Sequence, residues 1–542
     1  MKAIHLFLLY LLSLLLLLFV AFFQHSPGYM DAEYYLAGGM SIANGSWQEP
    51  YIWNYLDDPA GLPHPAFSYW MPLASLIAAA GMKLGGGLSF AAGRLGFILL
   101  GAGVAPLTAA LAYRLHPEHR LALLAGLLAV TAGFYLPYLP TTDTFGLVML
   151  LGGGFLLFSL LLEQTRPGDQ PRWKSLGFAL GLGVLAGLMH LARADGLLWL
   201  GVGGLALLCL PDTTWRQRLS QLGLLGLGYL LVMGPWMARN VSIFGSVLSA
   251  GGLRPLWITT YDELYTYPAS QLTPQHWLAS GLPALLGVRL KALGVNLQSL
   301  LAVQGEIFLL PLMLAGLWQL RREWAVRLGV LAWLLVLGVM TLVFPHQGWR
   351  GGYFHSAAAL QPLLWAVTPL GLSTIVRWAG EKRKWNISQA EYVFEVGMLI
   401  LAAGFSLVFL AGRVFGSTPS TASTQPGWDA PAERYSRIGV FLQALGVPED
   451  APLMVNNPPG FYLAAGRPSL AVPDGSPETL MAVAQRYGAC WVLLEPDHPA
   501  GLAALFAGPD TVPGLAYVAQ LEDAHLLQVS GCIPRPVVVT SR

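Results

Sequence analysis

Long apolar runs alternate with short polar breaks along most of the chain, and the runs are too long and too uniform for a soluble core. A membrane helix needs about 20 mainly apolar residues. Runs of that kind are read at 3–23, 91–113, 121–139, 144–163, 175–192, 196–210, 219–237, 299–320, 327–345, 355–376 and 393–413. Phe67 to Leu84 is apolar as well, but Pro72 and a Gly-rich flank weaken it as a span, so it is expected to form a juxtamembrane helix along the outer surface. Val241 to Val295 reads as a long outer loop with a helix-like stretch from Pro274 to Gly294. After residue 413 the pattern changes. Residues 414–429 form a Ser/Thr/Pro linker, and helix and strand periods alternate over 430–542. There the spacing predicts a helix over 432–445, strands in PLMVNN and ACWVLLEP, a helix over 476–487, and strands in AYVAQLE and HLLQVS. The expected fold is an α-helical polytopic membrane protein of about eleven spans over 1–413, with a small α/β domain over 430–542.

Composition agrees. The 542 residues are 55% hydrophobic and 11% charged, against about 25% charged in soluble domains. A net charge of +1, with no basic arm, gives no sign of a nucleic-acid partner. Lys2 followed by Ala3 to Phe23 is longer than a signal-peptide core and lacks an A-x-A site, so it reads as a retained first helix. Cysteines stand at 209, 490 and 532, with no CxxC and no His/Cys cluster. Cys209 lies in an apolar run and reads as a small core residue, whereas Cys490 and Cys532 could pair if their region is extracytoplasmic.

Charge sets the orientation. One set of loops holds Arg114/Arg120, Arg166/Arg172/Lys174, Arg216/Arg218, Arg321/Arg322/Arg327 and Arg377/Lys382/Arg383/Lys384. By the positive-inside rule these face the cytoplasm, and Lys2 agrees. The N-terminus is then cytoplasmic and everything after Arg413 is outside, in an integral plasma (inner) membrane protein.

The other set carries single, spaced functional residues. The loop from Gln24 to Pro72 has Asp31, Glu33, Glu49, Asp57 and Asp58, no Lys or Arg, and many Tyr and Trp. Later outer loops hold Asp143, Arg193 with Asp195, Arg239, and Arg350 with His355. Ionisable residues at membrane ends are costly unless they meet water, each other or a ligand. Any one of them reads equally well as a snorkelling or capping residue; their collection on one side points to a shared outer cavity. The aromatic residues of the first loop, Tyr69 among them, read first as interfacial anchors and packing.

Asp31-Ala32-Glu33-Tyr34-Tyr35, Asn44-Gly45, His64-Pro65 through Tyr69-Trp70, Thr142-Asp143-Thr144, Arg193-Ala194-Asp195-Gly196 and Pro235-Trp236 with Arg239-Asn240 follow one another in order. In that order they resemble the GT-C glycosyltransferases, in the branch of protein O-mannosyltransferases and lipid A aminoarabinose transferases. The resemblance covers most of 1–413, with 24–90 as the outer catalytic loop and juxtamembrane helix; 430–542 resembles no named family. It implies transfer of a sugar from a polyprenyl-phosphate donor to an acceptor hydroxyl of a protein, lipid or glycan outside the cytoplasm. Asp31 falls on the family's catalytic acidic position and is expected as general base. Glu33 is expected to be a second acid or to orient Asp31, although Ala32 stands where the family often has its second acid. Arg193, Arg239 and Arg350 are the expected stabilisers of the leaving phosphate, with His355 assisting and His64 near the same phosphate. Tyr69, Asp143 and Asp195 complete the expected substrate-binding set. No cofactor is fixed by the motifs and a divalent metal is possible; Asp57-Asp58 most simply brace the loop and could hold such a metal only with further oxygen ligands. The reaction would be a single inverting displacement. Two rival readings are a flippase for lipid-linked glycans, which predicts inverted repeats that the sequence lacks, and a non-catalytic envelope scaffold.

Overall fold

The computed structural model describes residues 1–165, 172–211, 213–249, 251–416 and 427–537. The expected basic residue Arg166 and most of the 414–429 linker lie outside them, as does the side chain of Arg172. The chain divides into two compact units: Met1–Phe23, Arg94–Ala238 and Arg289–Gly416 form a helical unit, and Gln24–Gly93, Arg239–Val288 and Ser417–Arg542 form a mixed unit.

The helical unit is a polytopic membrane bundle. Its first helix, α1 (Ala3–Phe22), is a Leu-rich run with no breaker, and a helix satisfies its own backbone where no water is available. Phe7, Leu15 and Phe22 are 58%, 56% and 74% exposed; such surface suits lipid rather than water. Among the described residues nine helices are long and apolar enough to cross a membrane, and the shorter apolar helices His119–Tyr135 and Ala194–Leu208 fall on two other expected spans. Small residues let helices approach closely. A Cβ on Gly316 would stand 2.1 Å from the Val367 carbonyl oxygen, and one on Gly371 would stand 1.9 Å from that of Leu312, so Leu310–Gln319 lies directly against Gln361–Arg383.

One expected span is corrected. Residues 299–320 do not form a single helix, because the stretch read as an outer-loop helix continues as Leu282–Gln304 and is itself long and apolar enough to cross. The chain then breaks at Glu306 and Ile307, both in the left-handed region (φ 43° and 62°), before Leu310–Gln319 begins. The break is held by side chains that apolar periodicity cannot reveal. Gln304 Oε1 accepts from Trp333 Nε1 and Tyr353 OH, each at 2.9 Å, and buried Glu306 accepts from Trp365 Nε1 at 3.3 Å.

In the mixed unit, α2 (Met30–Ala43) packs on α3 (Leu73–Gly85) through Gly39, whose added Cβ would stand 2.7 Å from the Ala78 Cβ. α3 falls on the stretch expected as a juxtamembrane helix. Its 13 residues reach about 20 Å, short of the ~30 Å hydrocarbon core. Three short strands follow α2: β1 (Gln48–Glu49), β2 (Tyr51–Ile52) and β3 (His64–Pro65), with β1 antiparallel to β3. The C-terminal region supplies β4 (Leu453–Val455), β5 (Ser469–Ala471), β6 (Trp491–Leu494), β7 (Leu515–Leu521) and β8 (Ala524–Val529), on the stretches whose periods predicted strands, with β5 added. The helices Ala430–Ala444 and Pro477–Tyr487 also fall where expected.

The six-stranded sheet runs β2-β5-β4-β6-β8-β7, parallel from β2 to β6 and antiparallel beyond. β2 comes from the first outer loop, so the C-terminal sheet is completed by a strand from the other end of the chain. Further ties join the same two segments: Tyr55 OH donates to the Ala471 carbonyl, Tyr487 OH to that of Pro59 at 2.8 Å, and Trp428 Nε1 to that of Ser26 at 2.9 Å. Cys490 and Cys532 form a disulfide, whereas Cys209 is free and exposed, not in the core.

Candidate active site

In the mixed unit the chain enters α2 from an extended Tyr29, and the first helical turn carries Asp31 and Glu33. A helix N-terminus favours carboxylates there. Residues two apart on a helix do not face each other, and the two acids diverge accordingly. Asp31 is partly exposed, whereas Glu33 is buried at 2% exposure. Glu33 Oε2 accepts a 2.6 Å hydrogen bond from Asn457 Nδ2. Burial raises the Glu33 pKa to about 7; the Asn457 bond pulls it down and the Asp31 charge adds to the rise.

The first outer loop is braced from within. Glu49 Oε1 accepts from Tyr34 OH at 2.6 Å and from the Phe67 amide at 3.1 Å. His64 lies in β3 opposite Glu49, with Nε2 2.7 Å from Asp57 Oδ2 and Nδ1 3.9 Å from Glu49 Oε2. Burial disfavours the imidazolium, but the hydrogen bond to Asp57 and the nearby Glu49 carboxylate outweigh it and raise the pKa to about 9. The His64 side chain is 4% exposed and is engaged with the loop's own carboxylates. Asp58 takes the Arg254 guanidinium at 2.7 Å and the Ala269 amide at 3.0 Å. The Asp57-Asp58 pair is thus engaged in bracing the loop. Tyr69 packs on Trp53 with ring centroids 5.1 Å apart. Arg239 donates to the Ala66 carbonyl at 2.7 Å and lies 5.6 Å from the Trp47 ring centre.

In the helical unit, the residues expected from three separate loops come together. Asp143 is buried just before Phe145–Glu163, and its Oδ2 is 3.7 Å from His355 Nδ1. The Phe145 ring stacks on His355, with centroids 4.2 Å apart. Arg193 donates from Nε to Asp195 at 3.0 Å and from Nη2 to Ser356 Oγ at 3.3 Å, beside His355 in sequence. Arg350 is exposed on the irregular turn Gly348–Gly352, where Gly351 has φ 117°. The Trp349 ring there has Lys291 Nζ 3.7 Å from its centre and Arg350 Cζ 5.4 Å from it. Sequence reasoning missed Lys291, Ser356 and Asn457. Lys291 lay in a stretch read as loop, and the other two are common polar residues outside any motif.

The multi-span helical bundle and the mixed α/β unit have counterparts of known structure. Among solved structures the chain is similar to ArnT from Cupriavidus metallidurans bound to undecaprenyl phosphate, at 13% identity and TM-score 0.56, covering 97% of this chain and 98% of that one. It is similar also to the archaeal oligosaccharyltransferase AglB from Archaeoglobus fulgidus in complex with an inhibitory peptide and a dolichol-phosphate. There the identity is 11% and the TM-score 0.51, over 90% of this chain and 68% of that one. The Archaeoglobus fulgidus oligosaccharyltransferase in complex with Zn and sulfate matches at 12% identity and TM-score 0.50, over 90% and 67%. No protein-family model matches the chain, and no curated protein matches it.

Proposed function

We propose that this protein is a membrane glycosyltransferase that moves a sugar from a polyprenyl-phosphate donor to an acceptor hydroxyl on the extracytoplasmic face. The observation that carries this reading is the full-length likeness in fold to a transferase whose structure holds undecaprenyl phosphate, together with a partly exposed Asp31 at the start of α2.

In this reading Asp31 removes the acceptor proton as the hydroxyl oxygen attacks the anomeric carbon. The bond from that carbon to the phosphate oxygen breaks, and its electron pair leaves with the lipid phosphate. The charge that grows there is met by guanidinium donors, for which Arg193, Arg350 and Arg239 are the candidates. His355 and Asp143 assist and, with further ligands, could hold a divalent metal. A metal would help to neutralise the leaving phosphate. Asp195 orients Arg193 through their 3.0 Å contact. Tyr69 shapes the loop.

The basic loops support a cytoplasmic N-terminus. The Cys490–Cys532 disulfide supports an extracytoplasmic C-terminal region, because disulfides persist in oxidising compartments. The test is transfer by the purified full-length protein in lipid, using a panel of undecaprenyl-phosphate-linked hexoses and pentoses with an envelope extract as acceptor. Asp31→Asn is expected to abolish transfer while undecaprenyl phosphate still binds. Equal transfer by both proteins removes Asp31 as base; lipid-linked sugar crossing the bilayer without transfer makes the protein a flippase.

A further inference from the structure

The parallel strands of the C-terminal sheet offer a familiar arrangement. From β4 the chain moves to β5 on one side and then to β6 on the other, so the strand order reverses at β4. Crevices at such reversals, beyond the carboxyl ends of the strands, are where α/β sheets bind ligands. Here the crevice is filled by the protein itself.

Asn456 and Asn457 follow β4, and Glu495 follows β6. Glu495 accepts from the Asn456 amide at 3.1 Å and from Tyr435 OH at 3.1 Å, and it pairs with Arg434. Asn457 caps the helix Pro458–Ala465: its Oδ1 accepts from the Gly460 amide at 3.1 Å, which leaves its Nδ2 to donate. That donor goes to Glu33 of α2 at 2.6 Å. The fit is close: a Cβ on Gly460 would lie 2.6 Å from Glu33 Oε2. The position where an α/β sheet would hold a ligand therefore holds the helix that carries Asp31.

We infer that Asn457 is a positioning residue for the transfer reaction, holding the first turn of α2 through Glu33 so that Asp31 points at the acceptor. The inference rests on the reading of Asp31 as base. Its physical basis is the shortness of the lever. Asp31 and Glu33 share one helical turn, so fixing one side chain in the sheet fixes the direction of the other. A displacement of about 1 Å at a reacting group costs up to ~100-fold in rate. Other titratable groups face Glu33 or its turn: Asp31 on the same helix, Tyr435 with Glu495 and Arg434 behind it, and Glu49 through Tyr34.

An amide–carboxylate exchange tests this in the full-length protein in lipid. Asn457→Asp keeps the cap on Gly460 but sets a carboxylate against Glu33. Adding Glu33→Gln restores a donor and an acceptor with their places reversed. The expected result is a roughly ten- to hundredfold fall in kcat for Asn457→Asp with KM for the undecaprenyl-phosphate-linked donor within about twofold, and recovery of most of it in the double variant. Hydrogen exchange in α2 should quicken in Asn457→Asp and slow again in the double variant, a readout independent of what Asp31 does. If Asp31→Asn transfers as well as wild type, the base assignment falls, and α2 exchange still decides whether Asn457 holds the helix. Unchanged exchange and kcat in Asn457→Asp, or a double variant no better than the single one, overturns the inference.

Discussion

Arg193 reaches Ser356 Oγ at 3.3 Å across 163 residues of chain, while its Nε holds Asp195 at 3.0 Å. The guanidinium is thus fixed in plane by a carboxylate on one edge and a hydroxyl on another, next to the residue that meets Asp143. A fork held this way suits a tetrahedral anion. Arg193→Ala is expected to weaken undecaprenyl phosphate binding by roughly ten- to a hundredfold, the range of a charge-assisted hydrogen bond. Arg193→Lys should rescue little, since a point charge lacks the planar fork. Calorimetry in lipid nanodiscs measures both.

His64 makes the mixed unit sensitive to pH. Its pKa rises on folding from 6.5 to about 9, so the stabilisation is complete below pH 6.5 and is lost as pH climbs through 9. Glu33 acts in the same direction at lower pH. Its carboxyl pKa rises on folding from 4.5 to about 7, and stability falls between those values. Thermal unfolding should therefore occur at lower temperature at pH 9 than at pH 6, with roughly 3 kcal/mol of the difference from His64. In His64→Gln the decline above pH 6.5 should flatten, although the variant is less stable at pH 6.

The Cys490–Cys532 disulfide closes a sequence separation of 42 residues around β6, β7 and β8. Removing a native disulfide from a small domain costs about 2–5 kcal/mol. Cys490→Ala with Cys532→Ala should leave the membrane bundle folded and make the C-terminal region cleavable by protease at lower temperature. Limited proteolysis followed by mass mapping reads this directly.

Asp143 and His355 present an oxygen and a nitrogen 3.7 Å apart, a mixed pair that suits zinc or manganese when further ligands complete the set. Chelation with EDTA is expected to lower transfer, and added Zn²⁺ or Mn²⁺ to restore it. Asp143→Asn should keep a low, chelator-insensitive rate. Transfer by wild type that is indifferent to EDTA rules the metal out.

Much of the membrane bundle was legible because its signal is local and repeated. An apolar run such as Ala3–Phe22 needs no partner to declare itself a helix, and basic residues between the runs follow from the cost of moving charge across lipid. Most strands and both principal helices of the C-terminal region were legible for the same reason: period reports which face is buried. The 299–320 reading failed where that logic ends. Glu306 and Ile307 adopt positive φ in an apolar stretch, and only Gln304, Trp365 and their neighbours, far apart in sequence, hold the break in place.

The sequence by itself determined the class of fold and most of its apolar helices, because each is a property of a short stretch of residues. Tertiary structure alone decided what the candidate site side chains do. It buried His64 between Asp57 and Glu49, turned Glu33 away from Asp31 towards Asn457, and brought Tyr51 and Ile52 into a sheet with Ser469 and Leu470. Each of these outcomes depends on a partner brought near by folding, at distances where a hydrogen bond or an ion pair outweighs desolvation. No local pattern records that partner.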